Sequence, residues 1–339
     1  MRIKEVANRL GTTTRTIRFY EEKGLVKPEK GANDYRNYKE EDVKELKGIL
    51  ALREVGMSTV QIKKFLKGEV DQFSFLDMQR SVLYEEMIQI RDMIGVLDKM
   101  MEGDLTGSED TMELAQKLKE IKQMRKNWKD RWDFDAQAEQ YDENIKTTGY
   151  GFNVHQQYEE ALTRVRDCIN PLRHELGLDI GVGTGNLAEL FLDRGTQMIG
   201  VDQSERMLRV CLNKHPNIDA RRGHFLSLPV SDKGVDFVVS SYALHHLTDE
   251  EKELALAEMD RVLINGGRLA IADLMFENQA TKKSILQQYL DEGNDEAIDA
   301  INDEYYADRS RLVSWLIDRD YRVETHQFNR ILHLVFASK

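Results

Sequence analysis

Cysteine is scarce in this chain: two residues, Cys168 and Cys211, in 339. Two such residues make no disulfide framework, so each reads as a small buried hydrophobe rather than half of a redox pair. Long apolar runs are missing too, and none approaches the length needed to cross a bilayer. There is no basic-then-apolar leader; the first residues include Arg2, Lys4 and Glu5, which makes the cytoplasm the expected compartment and excludes a membrane partner. What is present is ordinary globular material, 41% hydrophobic and 32% charged, in a chain long enough for two domains with proper cores.

Charge is unevenly spread. The net charge is −12, yet residues 1–70 hold 16 Lys and Arg against 11 Asp and Glu, and the remainder 32 against 49. A basic head on an acidic body suggests that only the head meets a polyanion.

Within the head, Ile3, Val6, Ala7 and Leu10 have helical spacing, and Gly11 ends that helix. Thr12, Thr13 and Thr14 offer N-caps for a second helix running through Ile17, Phe19 and Tyr20 to Gly24. Two helices about a glycine-containing turn make a helix-turn-helix candidate, whose second member enters the major groove. Thr14, Arg15, Arg18 and Tyr20 are expected on its outer side, as donors to phosphates and base edges. Pro28 to Asn37 is rich in Gly, Asn and Asp and reads as a wing, with Arg36 and Tyr38 near its end expected as further DNA contacts. A second helix pair follows, Glu40–Val55 and Ser58–Leu66, divided by Gly56.

This order resembles the MerR family of transcriptional regulators. Arg15-Thr-Ile-Arg-Phe-Tyr20, Lys23-Gly-Leu25 and Tyr35-Arg-Asn-Tyr38 stand where that family has its recognition helix, turn and wing. Glu41-Asp-Val, Leu46 and Leu52-Arg-Glu-Val-Gly-Met-Ser58 match its second helical pair. The resemblance covers roughly the first hundred residues. It implies a homodimer on a (pseudo)palindromic double-stranded promoter, regulating by distortion of the DNA.

Leu76, Leu83, Ile90 and Leu97 recur at every seventh position, with a second stripe at Met87, Ile94 and Met101. That heptad reads as a coiled coil, Gly95 being tolerable at modest cost. The competing reading is one amphipathic helix lying on its own domain. MerR-like proteins pair through an antiparallel coiled coil at this location. Gly103 to Asp110 reads as a linker, followed by a charged helical stretch from Met112 to about Lys129; Trp128, Trp132 and Phe134 then mark a new packed surface. The expected domains are therefore 1–72 (DNA-binding), 73–103 (dimerisation helix), 104–130 (linker) and 131–339.

In that last domain, residues 175–187 read Glu-Leu-Gly-Leu-Asp-Ile-Gly-Val-Gly-Thr-Gly-Asn-Leu. Gly181, Gly183 and Gly185 remove side chains where backbone must approach a ligand closely. Asp202, ending the next strand, is placed to accept hydrogen bonds from ribose hydroxyls. A dinucleotide fingerprint needs glycine at 186, where Asn186 stands, and an apolar residue where Asp179 stands. Turn and acids together point to an adenosine-containing cofactor, S-adenosylmethionine (AdoMet) ahead of a dinucleotide.

Apolar runs of strand length at Leu176–Ile180, Gln197–Asp202, Ile218–Arg222, Val235–Ser241 and Arg268–Leu274 alternate with helical stretches at 186–194, 204–214 and 249–263. That alternation predicts a Rossmann-like, doubly wound α/β sheet. Tyr321–Gln327 and Ile331–Ala337 are joined by only Phe328-Asn329-Arg330, too short for a crossover, so this C-terminal pair must be an antiparallel hairpin.

A parallel sheet closed by such a hairpin resembles the class I AdoMet-dependent methyltransferases, over roughly residues 130–339. The resemblance implies that Asp179, Gly181, Gly183 and Gly185 underlie the methionine half of AdoMet. Asp202 would take the ribose, with Gln203 and Met207 beside the adenine and Ser240 alongside. The third loop departs from the family: Gly223-His224-Phe225 replaces Gly-Asp-Ala, with a neutral His224 accepting from the adenine amino group and Phe225 contacting the ring. Tyr141 would close over the cofactor, and Tyr305 and Tyr306 are candidates for the acceptor pocket. Ser240-Ser-Tyr-Ala-Leu-His-His-Leu247 replaces the loop with which amino-methylating DNA enzymes grip a flipped base. The four prolines (Pro28, Pro171, Pro216, Pro229) are never followed by cysteine, so a cytosine-C5 nucleophile is absent. The expected acceptor is a small molecule. His245 or His246 is the candidate general base, with helix capping or pocket lining as the competing role; no metal site is expected.

Two functions remain open: a MerR-type regulator whose body senses or methylates a small molecule, or a small-molecule methyltransferase whose head controls its own gene.

Overall fold

The computed structural model describes residues 1–30, 35–102, 109–128, 131–146 and 152–339. These divide into two compact units, Met1–Val82 and Leu83–Lys339.

In the first unit, α1 (Ile3–Arg9) stops at Gly11, whose φ of +62° suits glycine. Thr13 caps α2 (Thr14–Glu22), its hydroxyl accepting the Thr16 amide at 3.0 Å. Strands β1 (Glu29–Lys30) and β2 (Arg36–Asn37) pair antiparallel as the stem of the wing, whose tip lies outside the described residues. Next come α3 (Glu40–Glu54) and α4 (Thr59–Leu66), the latter opened by a reciprocal Ser58–Gln61 capping box. Ile17, Leu46, Ile49, Ile62 and Phe75 fill the core between them.

Two expectations fail here. Tyr20 is not on the outer side of α2: it is 4% exposed, one helical turn from Ile17 and in the same core. Tyr38 is likewise buried at 1%, and its hydroxyl donates to the Glu21 carboxylate. In both, the apolar ring pulls the residue inward although its hydroxyl suits a phosphate contact.

Helix α5 (Gln72–Glu102) runs unbroken through Gly95, and the division between the units falls within it. Leu76, Leu83, Met87, Ile90, Ile94, Leu97 and Met101 are all exposed along it. Helix α6 (Glu109–Asn127) occupies most of the stretch read as a linker; Gly103 to Ser108 lie outside the described residues.

The second unit is built on one sheet. Its strands are β3 (Leu176–Ile180), β4 (Gln197–Asp202), β5 (Asp219–Arg222), β6 (Val235–Ser241), β7 (Leu263–Phe276), β8 (Ala307–Asp308), β9 (Arg322–Gln327) and β10 (Leu332–Ser338). They lie in the order β5-β4-β3-β6-β7-β10-β9, with β8 on β7. Pairings from β5 to β7 are parallel and those of β10 are antiparallel, as the alternation and the short hairpin loop predict. Along β7, Ala270, Ala272 and Leu274 face one core while Leu269 and Ile271 face another, the two-residue period of a sheet covered on both sides. Each fully buried aliphatic side chain contributes about 1.5–3 kcal/mol.

Around the sheet lie α7 (Phe134–Gln137), α8 (Tyr141–Lys146), α9 (Tyr158–Ile169), α10 (Asn186–Leu192), α11 (Glu205–Lys214), α12 (Asp249–Val262), α13 (Gln279–Asp291), α14 (Asp295–Asp303) and α15 (Arg309–Ile317). The chain leaves β3 for β4 on one side and later places β6 on the other. The switch point is therefore at the carboxyl ends of β3 and β6, where a doubly wound sheet opens a crevice. Among the described residues, no helix is long and apolar enough to cross a membrane.

Candidate active site

A cavity opens at that crevice. Its floor is the turn after β3. Gly181 (φ +73°) sits so close to the next loop that a Cβ would lie 2.4 Å from that of Ala243; Gly183 (φ +52°) faces open space. Each needs glycine, one for close packing and one to present bare backbone.

The Asp202 carboxylate holds this floor in shape. One oxygen accepts the Gly183 amide and the other the Ser204 amide, both at 2.9 Å. Beneath the turn, Asp179 is 1% exposed, and neither carboxylate oxygen makes a hydrogen bond of normal geometry, although the Ala188 amide lies close enough to favour the anion. Burial, reinforced by the negative charge of Asp202, pushes its pKa up to about 8.

Of the residues expected around a cofactor, Tyr141, Gly181, Gly183, Asp202, Gln203, Met207, His224 and Phe225 all line the cavity. Three do not. Asp179 lies below it. Gly185 caps α10 and packs toward His215 and Cys211, where a Cβ would lie 2.7 and 3.0 Å away. Ser240 is buried and donates to the Ile180 carbonyl at 2.8 Å, leaving Ser241 on the wall because neighbouring strand residues face opposite sides.

His224 differs from expectation in its hydrogen bonding. Burial, then the charge of Arg125, lowers its pKa to about 4, so the ring is neutral. Its Nδ1 accepts the Leu226 amide at 3.3 Å, which leaves the proton on Nε2. His224 thus offers a donor, suited to a ring nitrogen of a purine rather than to an exocyclic amino group.

Sequence reasoning did not assign Trp128 to the cavity. It stacks on His224 (ring centroids 5.5 Å apart, planes at 21°) and donates from Nε1 to Gln203 at 2.9 Å. Just before it, Arg125 donates to the Leu226 carbonyl at 2.9 Å and pairs with Asp92 of α5. Arg91, beside Asp92, reaches Glu258 at 2.9 Å. The loop carrying His224 is thereby tied to both α6 and α5. The α7–α8 segment that carries Tyr141 is tied down as well: Asp135 accepts from the Ser204 hydroxyl at 2.6 Å, and Asp142 accepts from Thr184 (2.5 Å), Asn186 (2.9 Å) and Lys214 (2.7 Å).

On the opposite wall, His246 lines the cavity and His245 does not. His246 packs against Trp132 and Phe134, with centroids 4.2 and 5.1 Å away. Burial, with His245 and Lys252 nearby, lowers its pKa to about 2. His245 is fully enclosed behind it. Its burial disfavours the cation, but Asp273 and Glu304 outweigh that and hold its pKa above the usual value. Asp273 binds His245 Nδ1 at 2.5 Å and also accepts the Ala243 and Leu244 amides, at 3.0 and 2.6 Å. Neither Tyr305 nor Tyr306 reaches the cavity wall. Tyr305 accepts from Arg131 at 2.8 Å, and Tyr306 is buried against Phe276.

Comparison with known proteins separates the same two regions. Residues 1–69 match the family described as MerR HTH family regulatory protein, and residues 178–271 match the family described as methyltransferase domain. An uncharacterized methyltransferase of Alkaliphilus oremlandii (strain OhILAs) is 34% identical over 207 residues, spanning 61% of this chain and 95% of that protein. Another, from Bacillus pumilus (strain SAFR-032), is 32% identical over 209 residues, again 61% and 95%. Among solved structures, the YcgJ protein of Bacillus subtilis aligns with 53% of this chain and 98% of its own, at 18% identity and a TM-score of 0.43.

Proposed function

Because the chain belongs to this family of methyltransferases and carries a MerR helix-turn-helix domain in residues 1–69, we propose that it is a dimeric promoter-binding regulator whose body binds AdoMet and senses or methylates a small molecule. The observation that carries the cofactor is the pairing of bare backbone at Gly183 with the buried, unpartnered carboxylate of Asp179. An ammonium group of the cofactor's amino-acid half supplies the missing partner. The residues fit the remaining parts of AdoMet too: the anchored carboxylate of Asp202 suits ribose hydroxyls, and Trp128, Met207, His224 and Phe225 form an apolar and aromatic slot for a purine.

AdoMet, when bound, supplies a methyl group already activated on a sulfonium. The chain's task is then positioning and exclusion of water. Tyr141, Phe134 and Trp128 cover the cavity, and the ties from Asp135 and Asp142 hold that cover to the glycine turn and α11. His246, with so low a pKa, serves as a wall against which the acceptor packs rather than as a strong base. His245, enclosed and held by Asp273, positions the loop.

The regulatory half rests on the exposed Arg15 and Arg18 of α2 and on Arg36, which is paired with Glu21 at 2.6 Å on the wing stem. Half-buried Thr14 opens the same helix. The exposed stripe of α5 suits pairing with a second copy of the chain. Arg125 and Asp92 link the loop that carries His224 to α5; by linkage, any change that AdoMet makes in DNA affinity is matched by an equal change that DNA makes in AdoMet affinity.

Titration calorimetry of the full chain tests the reading. Micromolar AdoMet binding, abolished in Asp202→Ala, is the expected outcome; equal binding by the variant removes the cofactor site. Radiolabelled methyl transfer to a metabolite extract, with and without promoter DNA, then separates turnover from sensing.

A further inference from the structure

One cluster of polar side chains is left unexplained by the cofactor cavity. One ring nitrogen each of His245 and His246 and a carboxylate oxygen of Glu304 lie within 4.8 Å of one another. Nε2 of His245 is 3.3 Å from Glu304 Oε2, and Nδ1 of His246 is 3.9 Å from Oε1. A tetrahedral ion with bonds of about 2.0–2.1 Å holds its ligands about 3.3–3.4 Å apart. The first pair is already at that spacing, and the second is about 0.6 Å wider.

Two further observations favour a cation here. His246 Nδ1 is buried without a hydrogen-bond partner. His245 is oriented from behind, because Asp273 accepts from its Nδ1–H and so aims Nε2 at Glu304. Nε2 and the Glu304 carboxylate share a proton that a divalent cation would displace on binding. Lys252 is close by but does not bridge them; its ammonium donates to the Leu247 and Tyr305 carbonyls at 2.5 and 2.6 Å.

We propose that His245, His246 and Glu304 bind a divalent transition-metal ion, zinc by preference, with Asp273 as the outer partner that orients His245. Two imidazoles and a carboxylate are a ligand set typical of zinc, and three protein ligands leave one position open, as in catalytic rather than structural sites. Only His246 of the three lines the cavity, so the open position adjoins it. The acceptor class that fits is a small molecule with a thiol or hydroxyl able to complete the coordination. That last step rests on the methyltransferase reading; the metal site itself does not.

The test uses untagged full-length protein stripped with chelator and titrated with Zn²⁺ alone, then with Co²⁺. One ion per chain is expected, raising the melting temperature. The cobalt spectrum should show bands of a four- or five-coordinate ion without thiolate charge transfer, which excludes Cys168 and Cys211. Glu304→Gln should melt like the wild type without metal and lose the zinc-induced shift, while its AdoMet affinity changes less than about threefold. Asp273→Asn should weaken zinc binding about 10- to 100-fold. Substoichiometric binding, or equal binding by Glu304→Gln and wild type, overturns the proposal whether or not AdoMet binds.

Discussion

Replacing Asp179 by asparagine should stabilise the ligand-free protein, although it removes a charge beneath the glycine turn. The folded-state pKa is raised from 3.8 to about 8, chiefly by burial. A raised value means that this group's contribution to stability is intact below pH 4 and is lost as pH rises toward 8. At pH 7 the unfolded chain carries the anion and the folded one the neutral acid, so folding takes up about one proton and costs about 4 kcal/mol; at pH 5 the cost is under about 2 kcal/mol. Asparagine is neutral at every pH and has nearly the same shape. The difference in stability, variant minus wild type, should grow by about 1.4 kcal/mol per pH unit between pH 5 and 7.5. Urea unfolding at several pH values measures it. A difference that is flat with pH, or a variant less stable than wild type at pH 7.5, refutes the reasoning. The same substitution should weaken AdoMet binding at least tenfold, and wild-type binding at pH 7 should release close to one proton, read from calorimetry in two buffers.

Arg15→Ala or Arg18→Ala should weaken promoter binding and reduce its salt dependence by about one phosphate contact, with AdoMet affinity unchanged; undiminished binding in gel-shift titrations counts against the recognition helix. Leu83→Lys with Ile90→Lys, both exposed on α5, should convert a dimer to a folded monomer in sedimentation equilibrium; persistence of the dimer places its interface elsewhere. Trp128→Ala removes the ring stacked on His224 and should cost about 1–3 kcal/mol of AdoMet binding, roughly five- to 150-fold. No change in calorimetry would place the purine away from that slot.

The parts legible in the sequence were those with strong local signals. Two-residue and 3.6-residue periodicity located the strands and helices of the sheet, and a three-residue loop required the hairpin to be antiparallel. Most of the cavity floor was legible because a glycine turn and Asp202 are close in sequence and act through the backbone. Tyr20 and Tyr38 were misread because a tyrosine has both an apolar ring and a polar tip, and only packing decides which governs. Ser240 was misplaced by one residue's facing and Gly185 serves as the cap of α10, neither of which a linear motif encodes. Trp128, Asp273 and Glu304 were missed for a different reason. They reach the site from just after α6, from the C-terminal half of β7 and from just after α14, and no spacing in the chain links them to His224 or His245.

The central claim is that the turn after β3 and the carboxylate after β4 form an AdoMet site. Calorimetric titration of AdoMet into ligand-free full-length protein, alongside Asp202→Ala, addresses it most directly. The account predicts one micromolar site per chain in the wild type and none in the variant. Absence of binding heat in a folded wild type across several temperatures, or identical isotherms for the two proteins, would contradict it.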